Sequence, residues 1–379
     1  MIQRTGIDRI LAGGFTGSSV TVYGWVKTSR TGKTVAFAEL NDGSSVNNLQ
    51  VVFDRNKFSD EALARLSTGA CVKGVGKVVA GSGTQSLELS ADSLEVPGPV
   101  DGDYPLQKKR HGLDFLRTMP HLRSRTNTFG AVFRMSHHLS LAIHRFFDSE
   151  GFYHIHTPII TESDCEGAGE TFRVTTLPAG STNIEDDYFR RNSFLSVSGQ
   201  LEAEPFALSM GKVYTFGPTF RADPSDTRTH AAEFWMIEPE MAFFDLDDNI
   251  ALIERFVKSC ASYLLERCAA DIEFFGKRYE PSLQSRYSTL LSDSFARVSY
   301  TEAIEILGKA PSLSSRPSWG DDLATEHERY LSEKHFKRPV FVTDYPASMK
   351  PFYMYMNDDG KTVAACDLLI SDVGEIVGG

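Results

Sequence analysis

What the chain lacks narrows its class before any motif is read. It has no run of about 18 apolar residues, so no membrane-spanning helix is expected. The N-terminus, Met1-Ile-Gln-Arg-Thr-Gly-Ile-Asp8, has no apolar signal-peptide core and no Arg/Ser-rich transit character. Cysteine is scarce. The five residues Cys71, Cys165, Cys260, Cys268 and Cys366 are scattered, with no Cys-x-x-Cys pair. That scatter signals neither a zinc site nor a disulfide framework, and fits reduced structural thiols in a cytoplasmic protein. A basic balance is missing too. With 39 basic against 50 acidic residues the net charge is -11, which disfavours non-specific nucleic-acid binding. Any RNA contact must therefore use local basic patches and shape. Internal repeats and low-complexity tracts are also absent. What remains is a globular chain of 379 residues, 41% hydrophobic, long enough for two domains and a large core.

From about Ser18 to Val96 the chain is strand-rich. Thr21-Val-Tyr-Gly-Trp-Val-Lys27 and Val35-Ala-Phe-Ala-Glu-Leu40 alternate, Asn41-Asp-Gly43 is a hairpin turn, and Asn48-Leu-Gln-Val-Val-Phe53 pairs back. Ala70–Val79 and Ser86–Ser90 follow, and a helical piece, Ser59–Ser67, interrupts them. Five short strands with one inserted helix is the pattern of an OB-fold β-barrel. Pro97-Gly-Pro-Val-Asp-Gly-Asp-Tyr-Pro105 is a turn-rich linker, followed by the basic Lys108-Lys-Arg-His111. The expected division is a barrel domain at 1–97, a linker or hinge at 98–120, and a second domain at 121–379.

The second domain reads as α+β. Val132, Met135, Leu139, Ile143 and Phe146 form one helical face between Phe129 and Glu150, and Gly151 terminates it. Phe152-Tyr-His-Ile-His-Thr-Pro158 is extended. Further helices are expected over Leu246–Cys268 and Leu323–Lys334, the latter capped by Asp322. Strands are expected near Val340–Asp344 and Val363–Leu369. Strands separated by long insertions imply a mostly antiparallel sheet flanked by helices.

The most informative stretch is Phe216-Gly-Pro-Thr-Phe-Arg-Ala-Asp-Pro-Ser-Asp-Thr-Arg-Thr-His-Ala-Ala-Glu-Phe-Trp-Met-Ile-Glu-Pro-Glu240. Arg221 ends an aromatic, Gly/Pro-punctuated strand. A polar loop from Ala222 to Ala231 carries Arg228 and His230, and a second strand begins at Glu233. A hairpin with cations at its tip and the flat ring of Phe234 on its strand suits a nucleoside triphosphate: guanidinium and imidazole for phosphates, the ring for the base.

This hairpin resembles motif 2 of the class II aminoacyl-tRNA synthetases, in the form of the aspartyl, asparaginyl and lysyl subgroup. Thr229 stands where an Arg usually precedes the His, and Arg228 sits one place earlier. The resemblance implies ATP as substrate, Arg221 on the α-phosphate as the catalytic cation, Arg228 and His230 on the outer phosphates, and Phe234 stacked on adenine. Removing one such donor costs about 3–4 kcal/mol of transition-state stabilisation. No general base is required, because the attacking carboxylate is already ionised; the enzyme has to align two anions and stabilise phosphoryl charge. In Cys366-Asp-Leu-Leu-Ile-Ser-Asp-Val-Gly-Glu-Ile-Val-Gly-Gly379 the resemblance assigns Asp367 and Glu375 to Mg2+, with Asp372 as a turn residue between them.

The amino-acid substrate is implied by Ser198-Gly-Gln-Leu-Glu-Ala-Glu204, which resembles the amino-acid-binding strand and turn of the subgroup. Aspartyl enzymes carry Gln-Leu-x-Lys-Gln there. Here Ala203 replaces the Lys, and Glu202 and Glu204 flank it beside Gln200. The lost cation and added acids disfavour aspartate and favour a neutral amide, hence asparagine. Glu166, in Asp164-Cys-Glu-Gly-Ala-Gly-Glu170, resembles the acid that grips the substrate α-ammonium. In the barrel, Phe37 and Gln50 match positions that read the middle anticodon base, with Lys27, Arg30 and Lys33 for backbone phosphates, and tRNA(Asn) is the implied partner. The helix at 129–150 and the strand to Pro158 resemble motif 1, which implies a homodimer.

The resemblance spans residues 18 to 379. The family continues into motif 3, which is not in this sequence, so truncation of an asparaginyl-tRNA synthetase is the expectation. Lys350-Pro-Phe-Tyr-Met354, Trp319-Gly-Asp-Asp-Leu323 and Glu326-His-Glu-Arg-Tyr330 also match the family, without a chemical role readable from residue type. The alternatives are an aspartyl-tRNA synthetase, disfavoured by Ala203, and a non-catalytic tRNA-binding paralogue. An ammonia-dependent asparagine synthetase would lack the barrel.

Overall fold

The computed structural model describes residues 4–81, 85–100, 102–163, 171–224, 230–292 and 294–379. Glu166 and Arg228 lie outside the described residues. The chain forms two compact units, one made of 1–140 with 263–285, the other of 141–262 with 286–379.

In the first unit, a short helix α1 (Ile7–Leu11) precedes five strands: β1 (Ser19–Thr31), β2 (Val35–Asn41), β3 (Leu49–Asp54), β4 (Cys71–Ala80) and β5 (Leu87–Gly98). They close into a barrel in the order β1-β2-β3-β5-β4. Strict alternation directs Ala36, Ala38 and Leu40 of β2, and Leu49, Val51 and Phe53 of β3, into a core shared with Val22, Val72 and Leu89. The inserted helix α2 (Asp60–Ala64) starts where Ser59 accepts the Ala62 N–H. The Asn41-Asp-Gly43 hairpin turn is longer than expected. The Asn41 amide donates to the Ser45 carbonyl at 2.9 Å and to Asn48 Oδ1 at 3.1 Å, holding an ordered loop before β3. Further along, α3 (Leu113–Arg117) leads to the long helix α4 (Asn127–Ser149). Arg134 on α4 pairs with Asp271 at 2.6 Å and donates to the Gly43 carbonyl at 2.9 Å.

In the second unit, β6 (Tyr153–His154), β7 (Ile160–Thr161), β8 (Arg173–Val174), β9 (Ser193–Leu195) and helix α5 (Gln200–Met210) precede the hairpin β10 (Lys212–Phe220) and β11 (Glu233–Met241). Helix α6 (Leu246–Arg267) ends and α8 (Leu283–Ser292) begins in the first unit, to which α7 (Ala269–Arg278) belongs; the second unit then continues with β12 (Ala296–Ser299), α9 (Tyr300–Gly308), α10 (Thr325–Arg329), β13 (Val340–Pro346), β14 (Thr362–Ile370) and β15 (Gly374–Gly378). Three sheets result: β11-β10-β6, β12-β13-β14-β15 and the small β7-β9-β8. Pairing is antiparallel except for β6 with β10 and β12 with β13. The fold is thus α+β, as the sequence implies.

Several details differ from expectation. Helix α4 buries Ala142, Ile143, Phe146 and Phe147, with Phe147 stacked on Tyr214 at 4.4 Å, while Val132, Phe133, Leu139 and Leu141 remain exposed. The predicted apolar face is therefore only half covered. Of the extended stretch 152–158 only Tyr153–His154 pairs. The Leu323–Lys334 helix begins at Thr325 and passes into a π-helical stretch, Tyr330–His335. Asp322 does not cap it; the Ala324 N–H donates to His327 Nδ1 at 3.0 Å instead, while His327 Nε2 lies 3.1 Å from the Ser315 carbonyl oxygen. Helix α9, unforeseen, starts with a capping box of Ser299 and Glu302.

Candidate active site

The β10–β11 ladder runs in register from Lys212 opposite Met241 to Phe220 opposite Glu233. One step further, Arg221 N–H donates to the Ala232 carbonyl at 3.1 Å, so the hairpin stays closed up to the polar loop. Phe234 sits opposite Thr219 and is half-buried, which leaves it available at one face rather than sealed in a core. The Arg221 guanidinium carbon lies 5.5 Å from the centre of the Phe234 ring. The pairing brings together the two groups expected to meet the α-phosphate and the adenine. His230 is exposed at the end of the loop.

Gln200, Glu202 and Glu204 do not lie on a strand and turn; they occupy the first turns of α5. Gly199 stands at the helix N-cap, and Ser198 Oγ, in the turn before it, accepts the Gln200 N–H at 3.0 Å. Ala203 is 0% exposed and packs with Ala207, Val213 and Ile155, so the place of the aspartyl enzymes' Lys is closed on this helix. Glu202 accepts a hydrogen bond from Thr161 at 3.1 Å. Glu204 points outward and is felt by Glu240 across the sheet face.

Two acids on β11 were not among the expected site residues. Glu238 accepts hydrogen bonds from Ser198 Oγ, from the Gly199 N–H at 3.0 Å and from Thr215 Oγ1 at 2.7 Å. Burial, then the charges of Glu238 and Glu204, push the Glu240 carboxyl up to about 7. The sequence signal was present: acids at i and i+2 of a strand, Glu238 and Glu240, share one face.

The β14–β15 hairpin carries the other charge. Asp367 is 7% exposed, and Lys350 Nζ donates to both its oxygens at 2.7 and 2.9 Å. That ammonium also rests 4.1 Å from the centre of the Tyr345 ring. Burial first, and then Asp367, to which it is hydrogen-bonded, raise the Tyr345 hydroxyl far above its usual range. Glu375 keeps an exposed edge, yet partial burial and the charges of Asp367 and Glu328, opposed by Lys350, lift it to about 6. Asp367 and Glu375 converge over Gly378: a Cβ there would come within 3.0 Å of Glu375 Oε1 and 3.4 Å of Asp367 Oδ1. Asp372 has φ +62° and pairs with Arg286 and Arg329, as a turn residue should. Among the described residues no cluster of three or more His, Cys, Asp or Glu side chains forms a metal cage.

In the first unit, Arg30 stands opposite Phe37 in the β1–β2 ladder, its guanidinium carbon 4.4 Å from the centre of the ring. Gln50 pairs with Glu39, two residues along from Phe37 on the same outward face, and its N–H donates to Gln85 Oε1 at 2.9 Å. Lys27 is not free for phosphate. Its ammonium donates to the Arg125 carbonyl at 2.6 Å, and burial together with Arg134 and Arg125 lowers its pKa.

Two family models match the chain: the class II tRNA synthetases (D, K and N) over residues 113–379, and the OB-fold nucleic acid binding domain over 20–97. They define the class, an aminoacyl-tRNA synthetase with a nucleic-acid-binding barrel. The asparagine–tRNA ligase of Parabacteroides distasonis is 50% identical across 100% of this chain and 84% of that protein. That of Solibacter usitatus is 51% identical over the same shares. The asparaginyl-tRNA synthetase of Pyrococcus horikoshii, solved with asparaginyl-adenylate, superposes with a TM-score of 0.84 at 29% identity, covering 100% of this chain and 83% of that one. An aspartyl enzyme from Entamoeba histolytica also shares the fold, with a TM-score of 0.76 at 20% identity over 100% of this chain and 78% of that one, so fold alone does not separate the two substrates. The chain belongs to the class II tRNA synthetases, and within them to the asparagine–tRNA ligase family of enzymes. Among the described residues no helix is long and apolar enough to cross a membrane.

Proposed function

We propose that this chain activates asparagine with ATP to asparaginyl-adenylate, releasing pyrophosphate, and transfers the aminoacyl group to tRNA(Asn) in the cytoplasm, releasing AMP. The observation that carries this reading is the Arg221–Phe234 pair at the loop end of the β10–β11 hairpin, with the acids Glu238 and Glu240 further along the same strand. The asparagine carboxylate attacks the α-phosphorus of ATP in line with the departing pyrophosphate. Arg221 donates to the carboxylate and the α-phosphoryl oxygens, lowering their mutual repulsion and holding the developing charge. Phe234 stacks on adenine. His230 and Arg228 take the outer phosphates.

The amino-acid pocket is read from its acids. Glu238, Glu240, Glu202, Glu204 and Gln200 offer acceptors for the two donor groups of asparagine, its α-ammonium and its side-chain NH2, and Glu166 adds a further acid for the ammonium. Aspartate would set a carboxylate against the same acids and lose affinity. In the transfer step the terminal ribose hydroxyl of tRNA attacks the adenylate carbonyl, and AMP leaves.

Asp367 and Glu375 suit Mg2+, which prefers one or two carboxylates together with phosphate oxygens. Their oxygens converge over a residue with no side chain, and the Glu375 carboxyl is raised by burial first and then by the charge of Asp367, which Lys350 only partly balances. Bound there, the ion would neutralise phosphate charge. Taking it up requires the Lys350 ammonium to release at least one oxygen of Asp367.

Arg30, Phe37 and Gln50 on the barrel at 1–97 are assigned to the anticodon, and the segment at 98–120 to a hinge before the catalytic domain at 121–379. The uncovered residues Val132, Phe133, Leu139 and Leu141 of α4 support a homodimer built on the 129–150 helix and the segment to Pro158. The test is aminoacylation of tRNA(Asn) by the protein expressed from its complete reading frame. Asparagine charging with no aspartate charging supports the reading. Tight tRNA binding without any charging would replace it with the non-catalytic paralogue.

A further inference from the structure

The turn between β14 and β15 is held from outside its own hairpin. Helix α10 and the π-helical stretch after it run along this turn and grip it at successive points. The Glu328 carboxylate lies against the backbone at Gly374 and Glu375, its Oε2 beside the place a Cβ of Gly374 would occupy. Ser371 Oγ donates to the Ser332 carbonyl at 3.4 Å, the Asp372 N–H donates to Glu333 Oε1 at 3.0 Å, and Arg329 reaches Asp372 at 3.4 Å. Arg329 and Glu333 are themselves paired at 2.9 Å, so the outer grip is a connected set. Gly374 fits this arrangement on two counts. Its φ of +90° favours glycine, and a Cβ would come within 2.9 Å of Glu328 Oε2. The turn can therefore approach Glu328 only because it is glycine at that point.

We infer that Glu328 is a positioning residue for activation: by fixing the Glu375 backbone it aims the Glu375 carboxylate at Asp367, and so pre-forms the pair that takes the magnesium of ATP. This rests on the reading of Asp367 and Glu375 given above. The geometric reason is leverage. Glu375 is the second residue of β15, and directly after it the β14–β15 ladder shifts register: Leu369 faces Glu375, but Leu368, next to Asp367, faces Val377. With Ile376 skipped by the ladder, sheet pairing alone holds Glu375 on one side only. A half-buried carboxylate on a neighbouring helix supplies the missing constraint. Groups that orient a ligand without touching the ion change affinity or activity about 10- to 100-fold when removed.

The experiment uses the protein from its complete reading frame, with Glu328→Ala, Glu328→Gln and Glu375→Ala. Three readouts are taken: amide hydrogen exchange across residues 373–377 without metal, Mn2+ binding in the presence of a non-hydrolysable ATP analogue, and asparagine-dependent ATP–pyrophosphate exchange against free Mg2+. Glu328→Ala should speed exchange of that peptide about tenfold, weaken Mn2+ about tenfold, and be rescued by raised Mg2+ with the asparagine KM unchanged. Glu328→Gln keeps an oxygen against the Glu375 backbone and should stay near wild type in all three. Equal damage from Gln and Ala would show that charge rather than position matters and overturn the inference, as would an unaltered peptide in Glu328→Ala. If Glu375→Ala leaves Mn2+ binding intact, the magnesium reading fails and the inference with it; the hydrogen-exchange arm then says separately whether the clamp exists.

Discussion

The two hairpins of the catalytic unit solve opposite problems. The β10–β11 hairpin presents a cation and a ring, Arg221 over Phe234, on a ladder without register breaks. The β14–β15 hairpin presents two acids, Asp367 and Glu375, on a ladder that shifts register beside them. The first is nearly self-sufficient, since its arginine and aromatic are brought together by strand pairing alone. The second depends on residues from elsewhere: Lys350 neutralises Asp367, Tyr345 lies beneath that ammonium, and Glu328 lies against the turn at Gly374. A cation next to a π face tolerates isolation better than like-charged carboxylates brought together in a partly buried site, where burial first and then the charge of Asp367 raise Glu375.

That contrast predicts different consequences for matched substitutions. Arg221→Ala should lower the rate of asparagine-dependent ATP–pyrophosphate exchange by about 10²–10³, equivalent to about 3–4 kcal/mol, while melting within a few degrees of wild type. A large fall in melting temperature would make Arg221 a structural residue and break the comparison. Lys350→Met should do the reverse in the absence of magnesium. It strands the nearly buried Asp367 and should cost about 3 kcal/mol of stability, much of it regained on adding Mg2+ with ATP. Thermal melts with and without Mg2+–ATP read this directly, and a melt indifferent to both the substitution and the ion would show that the acid pair needs no cation.

Glu240 sharpens the same comparison through pH. Its folded-state pKa, about 7, lies above the ordinary carboxyl value near 4.5, so the folded protein holds the proton more tightly than the unfolded chain. The stability it contributes is fully present below about 4.5 and is lost as pH rises through about 7. Glu240→Gln should flatten the decline in melting temperature between pH 5 and 8, a difference of about 1–2 kcal/mol after allowance for partial solvent screening. A wild-type melting curve already flat across that range would contradict the crowding of Glu240 by Glu238 and Glu204. The remaining prediction concerns the barrel. Phe37→Ala should weaken tRNA(Asn) binding by about 1–3 kcal/mol in a filter-binding titration, and leave adenylate formation untouched.

The same contrast explains what was legible in the sequence. The β10–β11 site could be read because its parts are contiguous: strand, loop and strand within a few tens of residues, with Arg221 and Phe234 flanking the loop. The barrel could be read because alternation has a period of two and each strand obeys it. Asp367 and Glu375 were visible as residues, but their surroundings were not, because Lys350, Tyr345 and Glu328 reach them through tertiary folding and carry no local signature. Gln200–Glu204 was placed on the wrong element. Leu, Glu and Ala are good helix formers, and Ser198 with Gly199 supplies a start, so local propensity favoured α5. Lys27 was misjudged for a related reason: its charge is plain in sequence, whereas its burial against the Arg125 carbonyl is not. The face of α4 was half right, since periodicity reports which side is apolar and not what covers it.

The most direct test of the central claim is ATP–pyrophosphate exchange by the protein from its complete reading frame, with asparagine and with aspartate, for wild type and Arg221→Ala side by side. The account predicts exchange with asparagine, at most background with aspartate, and loss of at least a hundredfold in the arginine variant. Equal or greater exchange with aspartate, or an arginine variant as active as wild type, would contradict it.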